Sequence, residues 1–314
     1  SGVSSLSDIR LPSGLETIKS DAFASSGLTN IAIPANVSVI GDGAFAFCRN
    51  LTEISVDEQN AAYASSNGVL YNKTGNTLCA YPVGHKRTQF AVPEAVTTVS
   101  GKAFCGSRNI TELTLSEGLL NIGEQAFSNM ERLSKITLPD SVQQLSREAF
   151  AHSGSLYQIT IGSNSAIKRI GFGAFAYTAV RSLRIPAGVS SMAQGVFAGC
   201  GELTNVTFSE NSLLDRISAY MFYGADQLNQ ITFENGSALT ILQAHALDGL
   251  TALQSVDFGD AAVEDIGNYS FRFCENLKDI SLPDSVTRIG RYAFSGCTSL
   301  QKVIVPEKTG FIGR

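Results

Sequence analysis

The stretch LPDSVTRIGRYAFSGCTSL at residues 282–300 returns almost position for position as LPDSVQQLSREAFAHSGSL at residues 138–156. Both copies open with Leu-Pro-Asp-Ser-Val, and both continue to an Ala-Phe pair followed by small and polar residues. Self-similarity over such a distance predicts an array of small structural units that stack on one another. The sequence is therefore interpreted first through its period.

One apolar position marks that period along the chain, and we call it the spine position. Its eleven occupants are 22 to 25 residues apart, except for one gap of 59 residues. Alanine precedes eight of them, which leaves room for a close neighbour. The occupants are Phe23, Phe45, Phe104, Phe127, Phe150, Phe175, Phe197, Phe222, Leu247, Phe271 and Phe294.

Each unit also carries a short segment with the alternation of a strand. In LKDISLP, Ile280 and Leu282 share one face of an extended segment, and Asp279 and Ser281 share the other. The following proline stops the strand because it lacks a backbone N–H. A unit of about 23 residues cannot bury its own apolar face, so neighbouring units must stack and share a core. The pattern predicts an elongated solenoid of parallel strands.

The complete pattern, L-x-x-I-x-L-P, S-V-x-x-I-G and A-F-x-x-C, is present in residues 277–300 and resembles the BspA-like leucine-rich repeats of bacterial surface proteins. The resemblance covers nearly all of residues 1–314 as a single array of about eleven units. It implies a right-handed β/α superhelix of short parallel strands with brief helical turns. It also implies a role in adhesion or in binding host proteins, at the cell surface or outside the cell. Leu247 at a spine position and AFAHS at 149–153, which lacks the cysteine, depart from the pattern.

The gap of 59 residues predicts an insertion at about residues 57–89. In NGVLYNKTGNTLCAYPVGHKR, residues 67–87, VLYN and TLCAYP are strand-like and KTGN supplies a turn, so the segment is expected to form a β-hairpin. Similar hairpins occur in BspA-like proteins. Tyr71, Tyr81 and Arg87 are candidate binding anchors, because tyrosine and arginine are favoured in binding hot spots. The alternative is an insertion that only braces one unit of the array.

The solvent face of the strands supplies further candidates. Its predicted outward side chains are polar or charged and contain no aromatic ring; among them, Lys135 and Arg184 are candidate contacts. Such a face favours recognition of a protein, because extended solenoid surfaces bind through many modest contacts. Capture of carbohydrate remains an alternative through the hairpin tyrosines, and a structural spacer for another domain is a third.

Composition and motif content limit the classes of partner and function that the chain can have. Charged residues make up 16% of the chain and the net charge is -5, which argues against the basic surface that nucleic acid requires. No run approaches the roughly 18 apolar residues of a membrane span. His85, His152 and His245 fall in different units, and the sequence has neither a G-x-S-x-G nor a C-x-x-C motif. We therefore expect a protein that is not an enzyme and has no cofactor and no metal.

The cysteines and the chain ends give two more expectations. Cys48, Cys200, Cys274 and Cys297 each lie three residues after a spine position, so we expect mostly free thiols in one repeated environment. Pairing of Cys274 with Cys297, in adjacent units, is the alternative. The repeat pattern is cut at both ends, so we expect a longer native chain, or a monomer or weak dimer that covers an uncapped end.

Overall fold

The computed structural model describes residues 3–314, and the chain divides into two compact units, Ser1–Leu156 and Tyr157–Arg314. Each unit is a β-solenoid whose coils follow the period of the spine. A coil typically contributes one strand to a sheet face and a shorter strand to a second face, with tight turns between them.

The first unit contains strands of two to four residues. They are β1 Thr17–Ile18, β2 Asn30–Ile33, β3 Val39–Ile40, β4 Glu53–Val56, β5 Tyr63–Ser66, β6 Val69–Asn72, β7 Thr77–Ala80, β8 Gln89–Ala91, β9 Thr98–Val99, β10 Glu112–Thr114, β11 Asn121–Ile122, β12 Lys135–Leu138 and β13 Gln144–Leu145. Parallel pairs join β1 to β3, β2 to β4, β8 to β10, and β7 through β9 and β11 to β13.

The second unit is built in the same way. Its strands are β14 Gln158–Ile161, β15 Arg169–Ile170, β16 Ser182–Ile185, β17 Ser191–Met192, β18 Asn205–Phe208, β19 Arg216–Ile217, β20 Gln230–Phe233, β21 Ile241–Leu242, β22 Ser255–Asp257, β23 Asp265–Ile266, β24 Asp279–Ser281, β25 Arg288–Ile289, β26 Lys302–Ile304 and β27 Phe311–Ile312. One parallel ladder runs from β16 through β18 and β20 to β22, and another from β19 to β27 through β21, β23 and β25.

The predicted helical turns are wrong: residues 3–314 contain no helix. The segments around the spine positions are irregular turns instead. Their geometry explains this, because the residues two before and two after the spine position have positive φ, as Gln125 (55°) and Asn129 (56°) do around Phe127. Left-handed residues at this spacing interrupt any right-handed helix.

The spine residues form the core of each coil, as the sequence predicts. In the first unit, the rings of Phe104, Phe127 and Phe150 follow one another with centroids 5.2 Å apart at both steps. In the second unit, Phe175, Phe197 and Phe222 are spaced by 5.8 and 5.4 Å. A second buried column, which joins Phe208, Phe233 and Phe258 at 4.4 and 6.3 Å, supports the sheet face there.

The cysteines that follow the spine are hydrogen-bond donors between coils. The thiols of Cys48, Cys200, Cys274 and Cys297 donate to the backbone oxygen of the spine residue in the preceding coil, at 3.0 to 3.2 Å. Ser153 occupies the same position and donates to the oxygen of Phe127 at 3.0 Å. All six cysteines are free thiols, and Cys274 and Cys297 are not paired.

Candidate binding surfaces

The inserted segment is a three-stranded antiparallel sheet rather than a single hairpin. β6 and β7 are the two strands that the sequence predicts, and β5 adds a third through a tight turn at Asn67 and Gly68. β7 then pairs with β9 in parallel and returns the chain to the repeat. The insertion is therefore continuous with the ladder of the first unit.

Asn60 fixes the start of this insertion. Its side chain is fully buried, and its amide donates to the backbone oxygens of Pro34 and Val37 at 2.8 and 2.9 Å. Its side-chain oxygen accepts from the backbone N–H groups of Ala62 and Tyr63. The hydroxyl of Tyr63 in turn accepts a hydrogen bond from the backbone N–H of Ile40 at 2.7 Å. These contacts attach the insertion to the preceding coils.

The structure places Tyr81 at a spine position. Tyr81 lies 36 residues after Phe45 and 23 before Phe104, and its ring stacks on Phe104 at a centroid distance of 4.9 Å. Its backbone N–H bonds to the oxygen of Ala103, as Phe104 bonds to Ala126. The gap thus holds a twelfth repeat unit, in which Ala80 and Tyr81 replace the usual Ala-Phe. Sequence reasoning missed it because the pair ends a hairpin strand.

The three predicted hairpin anchors lie near one another, but they differ in access. Tyr71 and Tyr81 are only 8% and 1% exposed, so neither presents a binding surface in this conformation. Burial raises the pKa of both tyrosines, and the nearby charge of Arg87 offsets part of the rise. Arg87 itself is half-buried, and its backbone N–H donates to Nδ1 of His85 at 3.0 Å. Tyr71 and Tyr81 are thus core residues with Arg87 nearby, and they are not exposed as direct anchors in this conformation.

Lys135 and Arg184 lie on the solvent face of their strands, as predicted. Lys135 is exposed on β12, above a shallow groove that it shares with Glu112, Thr114 and Thr137. Arg184 is exposed on β16 and makes two hydrogen bonds to Glu234, beyond the end of β20. This contact holds the pKa of Glu234 below its ordinary value.

The sheet face of the second unit is polar and continuous. Along β16, β18, β20 and β22 the outward side chains are exposed or half-buried, while the intervening residues point into the core. The strands pair residue for residue, so each outward position forms a row across the ladder. The outward residues are Ser182, Arg184, Asn205, Thr207, Gln230, Thr232, Ser255 and Asp257.

A small cavity in the first unit contains ionisable groups. Asp42, Cys79 and Lys102 contribute to its lining, and the Lys102 ammonium lies 2.8 Å from both carboxylate oxygens of Asp21. Burial raises the pKa of the Cys79 thiol to about 11. A thiol that stays protonated is a poor nucleophile, so this cavity does not have the character of a cysteine active site. Across residues 3–314, no three side chains of His, Cys, Asp or Glu converge as metal ligands.

The structure also reveals exposed and half-buried aromatic residues on the turn side of the second unit, which sequence reasoning did not single out. Tyr220, His245, Tyr269 and Tyr292 each lie two residues before a spine position in four consecutive coils. Alignment of the units on the spine would have revealed this recurrence. Stacking between the four rings depends on how consecutive coils align, and the sequence of a single repeat does not encode that alignment.

Comparison with known proteins supports the repeat assignment. The BspA type leucine rich repeat region matches in six copies, over residues 1–74, 83–204 and 190–314. The unmatched residues 75–82 lie in and just beside β7, where the insertion rejoins the ladder. A search of curated sequences gives no significant match. Within the described residues, no helix has the length and apolar character to cross a membrane.

Solved structures agree on the fold. A leucine-rich repeat protein from Bacteroides ovatus is 24% identical, with a TM-score of 0.71, covering 95% of this chain and 78% of its own. A leucine-rich repeat protein from Eubacterium ventriosum is 26% identical with a TM-score of 0.54, covering 95% and 66%. The pneumococcal vaccine antigen PcpA is 23% identical with a TM-score of 0.59, covering 77% and 54%. With the family match over most of its length, the chain belongs to the BspA type leucine-rich repeat family.

Proposed function

We propose that the protein is a non-catalytic binding module of a bacterial cell surface, and that it recognises a protein ligand such as a host matrix or cell-surface protein. The observation that carries this proposal is the open, polar sheet face of the second unit, with its rows of outward side chains. Solenoid proteins commonly bind partners across extended faces of this kind. Membership of the BspA type family supports the surface location.

The contacts are assigned to exposed groups on the strand faces and beside the insertion. Arg184 offers a guanidinium on the polar face, and Glu234 keeps it in a fixed position. Lys135 offers an exposed ammonium in the first unit, and Arg87 offers a half-buried guanidinium beside the insertion. Tyr71 and Tyr81 are buried in the core with the charge of Arg87 nearby. Because the faces lack aromatic rings, carbohydrate capture ranks below protein recognition.

The test is a binding screen of the intact chain against purified matrix and cell-surface proteins, with a glycan array in parallel. For a protein ligand so identified, Arg184→Ala should weaken binding by about fivefold or more, as loss of a contact residue does. Arg216→Ala is the matched control, because Arg216 is also an exposed arginine paired with a carboxylate, that of Asp215, but lies on β19 outside this face. The control should bind as the parent does.

Each other outcome counts against the proposal. Binding to glycans with no protein ligand would favour carbohydrate capture, and no binding to either would favour a spacer. Equal affinity of the Arg184→Ala chain would remove the sheet face from the mechanism. Deletion of residues 64–87 is unsuitable as a test of the insertion, because it removes β7 and Tyr81 from the core. Arg87→Ala is the appropriate change there.

A further inference from the structure

Four aromatic side chains form a continuous column on the turn side of the second unit. The rings of Tyr220 and His245 lie 4.8 Å apart, those of His245 and Tyr269 4.9 Å, and those of Tyr269 and Tyr292 5.3 Å, with planes within 15° of parallel at each step. One ring comes from each of four consecutive coils. The column therefore follows the repeat along the outside of the unit.

This column is the centre of a larger exposed surface, which we call the turn-side patch. Its most accessible aromatic members, Tyr220, Tyr223, Phe273 and Tyr292, are between 42% and 63% exposed. Soluble proteins rarely expose large contiguous apolar surfaces, and those that they do expose often mark interaction sites. The patch comprises Tyr220, Tyr223, His245, Tyr269, Arg272, Phe273 and Tyr292.

The backbone beneath the column argues against an incidental arrangement. Tyr220, His245, Tyr269 and Tyr292 have φ values of 56°, 60°, 58° and 55°, in the left-handed region that bulky side chains avoid. The corresponding position in the first unit is filled mostly by polar residues such as Gln125. Burial in the core does not explain the aromatic choice, since the rings lie on the surface. Positive φ at this position is shared by the other coils whose spine residue is phenylalanine, so the aromatic side chains are what distinguish these four coils.

A buried carboxylate fixes the patch from below. Asp248, only 8% exposed, accepts a hydrogen bond from Nε of Arg272 at 2.9 Å and lies 2.7 Å from Nδ1 of His245. Although burial raises the pKa of Asp248, its hydrogen bonds to Arg272 and His245 hold it below the ordinary value. The guanidinium of Arg272 is held over the rings of Tyr269 and Phe273, at 4.9 and 5.2 Å from their centroids. Side chains ordered in advance lose little entropy on binding.

The chemistry of the exposed groups indicates the partner. Rings within the column cover one another's faces, so they present their edges, and an aromatic edge carries partial positive charge. Arg272 contributes a guanidinium that is partly exposed and paired with Asp248, and Arg291, exposed and next to Tyr292 in the chain, contributes a second guanidinium. Asp248 is already engaged beneath the surface. The patch thus offers apolar area, positive edges and cations on a chain whose net charge is -5.

We infer that the turn-side patch is a second docking surface, which takes an acidic segment of a partner protein that also carries aliphatic side chains. Carboxylates of the segment meet Arg272, Arg291 and the ring edges, and the aliphatic groups cover the exposed rings. Sugars would need open ring faces, which stacking removes within the column. The inference rests on the proposed protein-binding function but uses a surface separate from the sheet face.

The experiment measures binding of the intact chain to synthetic peptides by fluorescence anisotropy. One set combines Asp and Glu with Leu and Val, a second replaces the acids by Lys, and a third is neutral. The acidic aliphatic set should bind best, and its affinity should fall as salt rises. Tyr220→Gln with Tyr292→Gln should weaken binding at least about tenfold. Glutamine is chosen because Gln125 adopts the same φ at this position, which protects the fold.

Two controls separate the patch from general effects. Phe172→Gln removes an exposed aromatic of the same unit outside the patch and should leave peptide affinity unchanged. Arg291→Glu should weaken the acidic set and strengthen the basic set. A parent chain that binds no peptide, prefers the basic set, or uses the patch only to self-associate would overturn the inference. The proposed function is tested separately by Arg184→Ala on the sheet face. If that variant binds its protein ligand more weakly while the peptide experiment gives one of these contrary results, the proposed function survives and the patch assignment fails.

Discussion

Tyr81 stacks on Phe104 with ring centroids 4.9 Å apart and ring planes inclined by 16°, so the inserted coil shares the spine of the first unit. Its hydroxyl is buried without a hydrogen-bond partner among the described residues. Tyr81→Phe should therefore leave the free energy of unfolding unchanged or raise it by up to about 1 kcal/mol, because an unpaired buried hydroxyl is costly. Tyr81→Ala should lower it by about 3–5 kcal/mol through the cavity that it creates.

Urea denaturation of the parent and both variants measures these changes. A loss above about 1 kcal/mol in Tyr81→Phe would show that the hydroxyl makes a stabilising contact. A loss below about 1 kcal/mol in Tyr81→Ala would place the ring outside the core.

The sequence predicts features that recur within every repeat, and it misses those that depend on contacts between consecutive coils. Alternation in LKDISLP predicts the burial of Ile280 and the exposure of Ser281, because an isolated strand already separates its two faces. The burial of Tyr71 and Tyr81 is not predicted, since a tyrosine suits both a core and a surface. The column through Tyr220 and Tyr292 depends on coil-to-coil register, and no local pattern reports that register.

Asn60 provides a test of how the insertion is attached. Asn60→Ala removes the amide that serves four backbone groups, so we expect a loss of at least about 3 kcal/mol in the free energy of unfolding. Asn36→Ala is the control, because the exposed Asn36 makes one hydrogen bond, to the backbone oxygen of Ser13. That change should cost less than about 1 kcal/mol. Similar losses in both variants, measured by chemical denaturation, would contradict the role of Asn60.

Gly199 and Gly249 occupy the same position of their coils but differ in their surroundings. Both have positive φ, 68° and 80°, so alanine at either should cost about 1 kcal/mol from the backbone alone. A Cβ at Gly199 would also clash with the ring of Tyr177, whereas a Cβ at Gly249 would meet no neighbouring atom within 4 Å. Gly199→Ala should therefore lower the melting temperature clearly more than Gly249→Ala.

The double variant Tyr177→Ala with Gly199→Ala separates the clash from the backbone effect. The double variant is compared with Tyr177→Ala alone, so that the ring is absent from both chains. The loss of stability between these two should then be about the same as the loss between the parent and Gly249→Ala. An unchanged cost would mean that the ring of Tyr177 moves aside freely in the parent.

Cys200 links stability to alkaline pH. Its thiol donates to the backbone oxygen of Phe175 at 3.1 Å, and burial raises its pKa from 9.0 to about 11. Between these values the folded chain retains a proton that the unfolded chain has released. The stabilising contribution is therefore complete below pH 9 and is lost as the pH rises towards 11, at up to about 1.4 kcal/mol per pH unit.

Cys200→Ser isolates this contribution, because serine does not titrate in this range and Ser153 already makes the equivalent hydrogen bond in the first unit. The advantage of the parent over the variant should shrink by about 1 kcal/mol between pH 8 and pH 10. Urea unfolding at the two pH values measures it, and subtracting the variant removes the titration of other groups. A difference that stays constant would show that the Cys200 thiol ionises alike in the folded and unfolded chains, which its full burial beside Phe175 argues against.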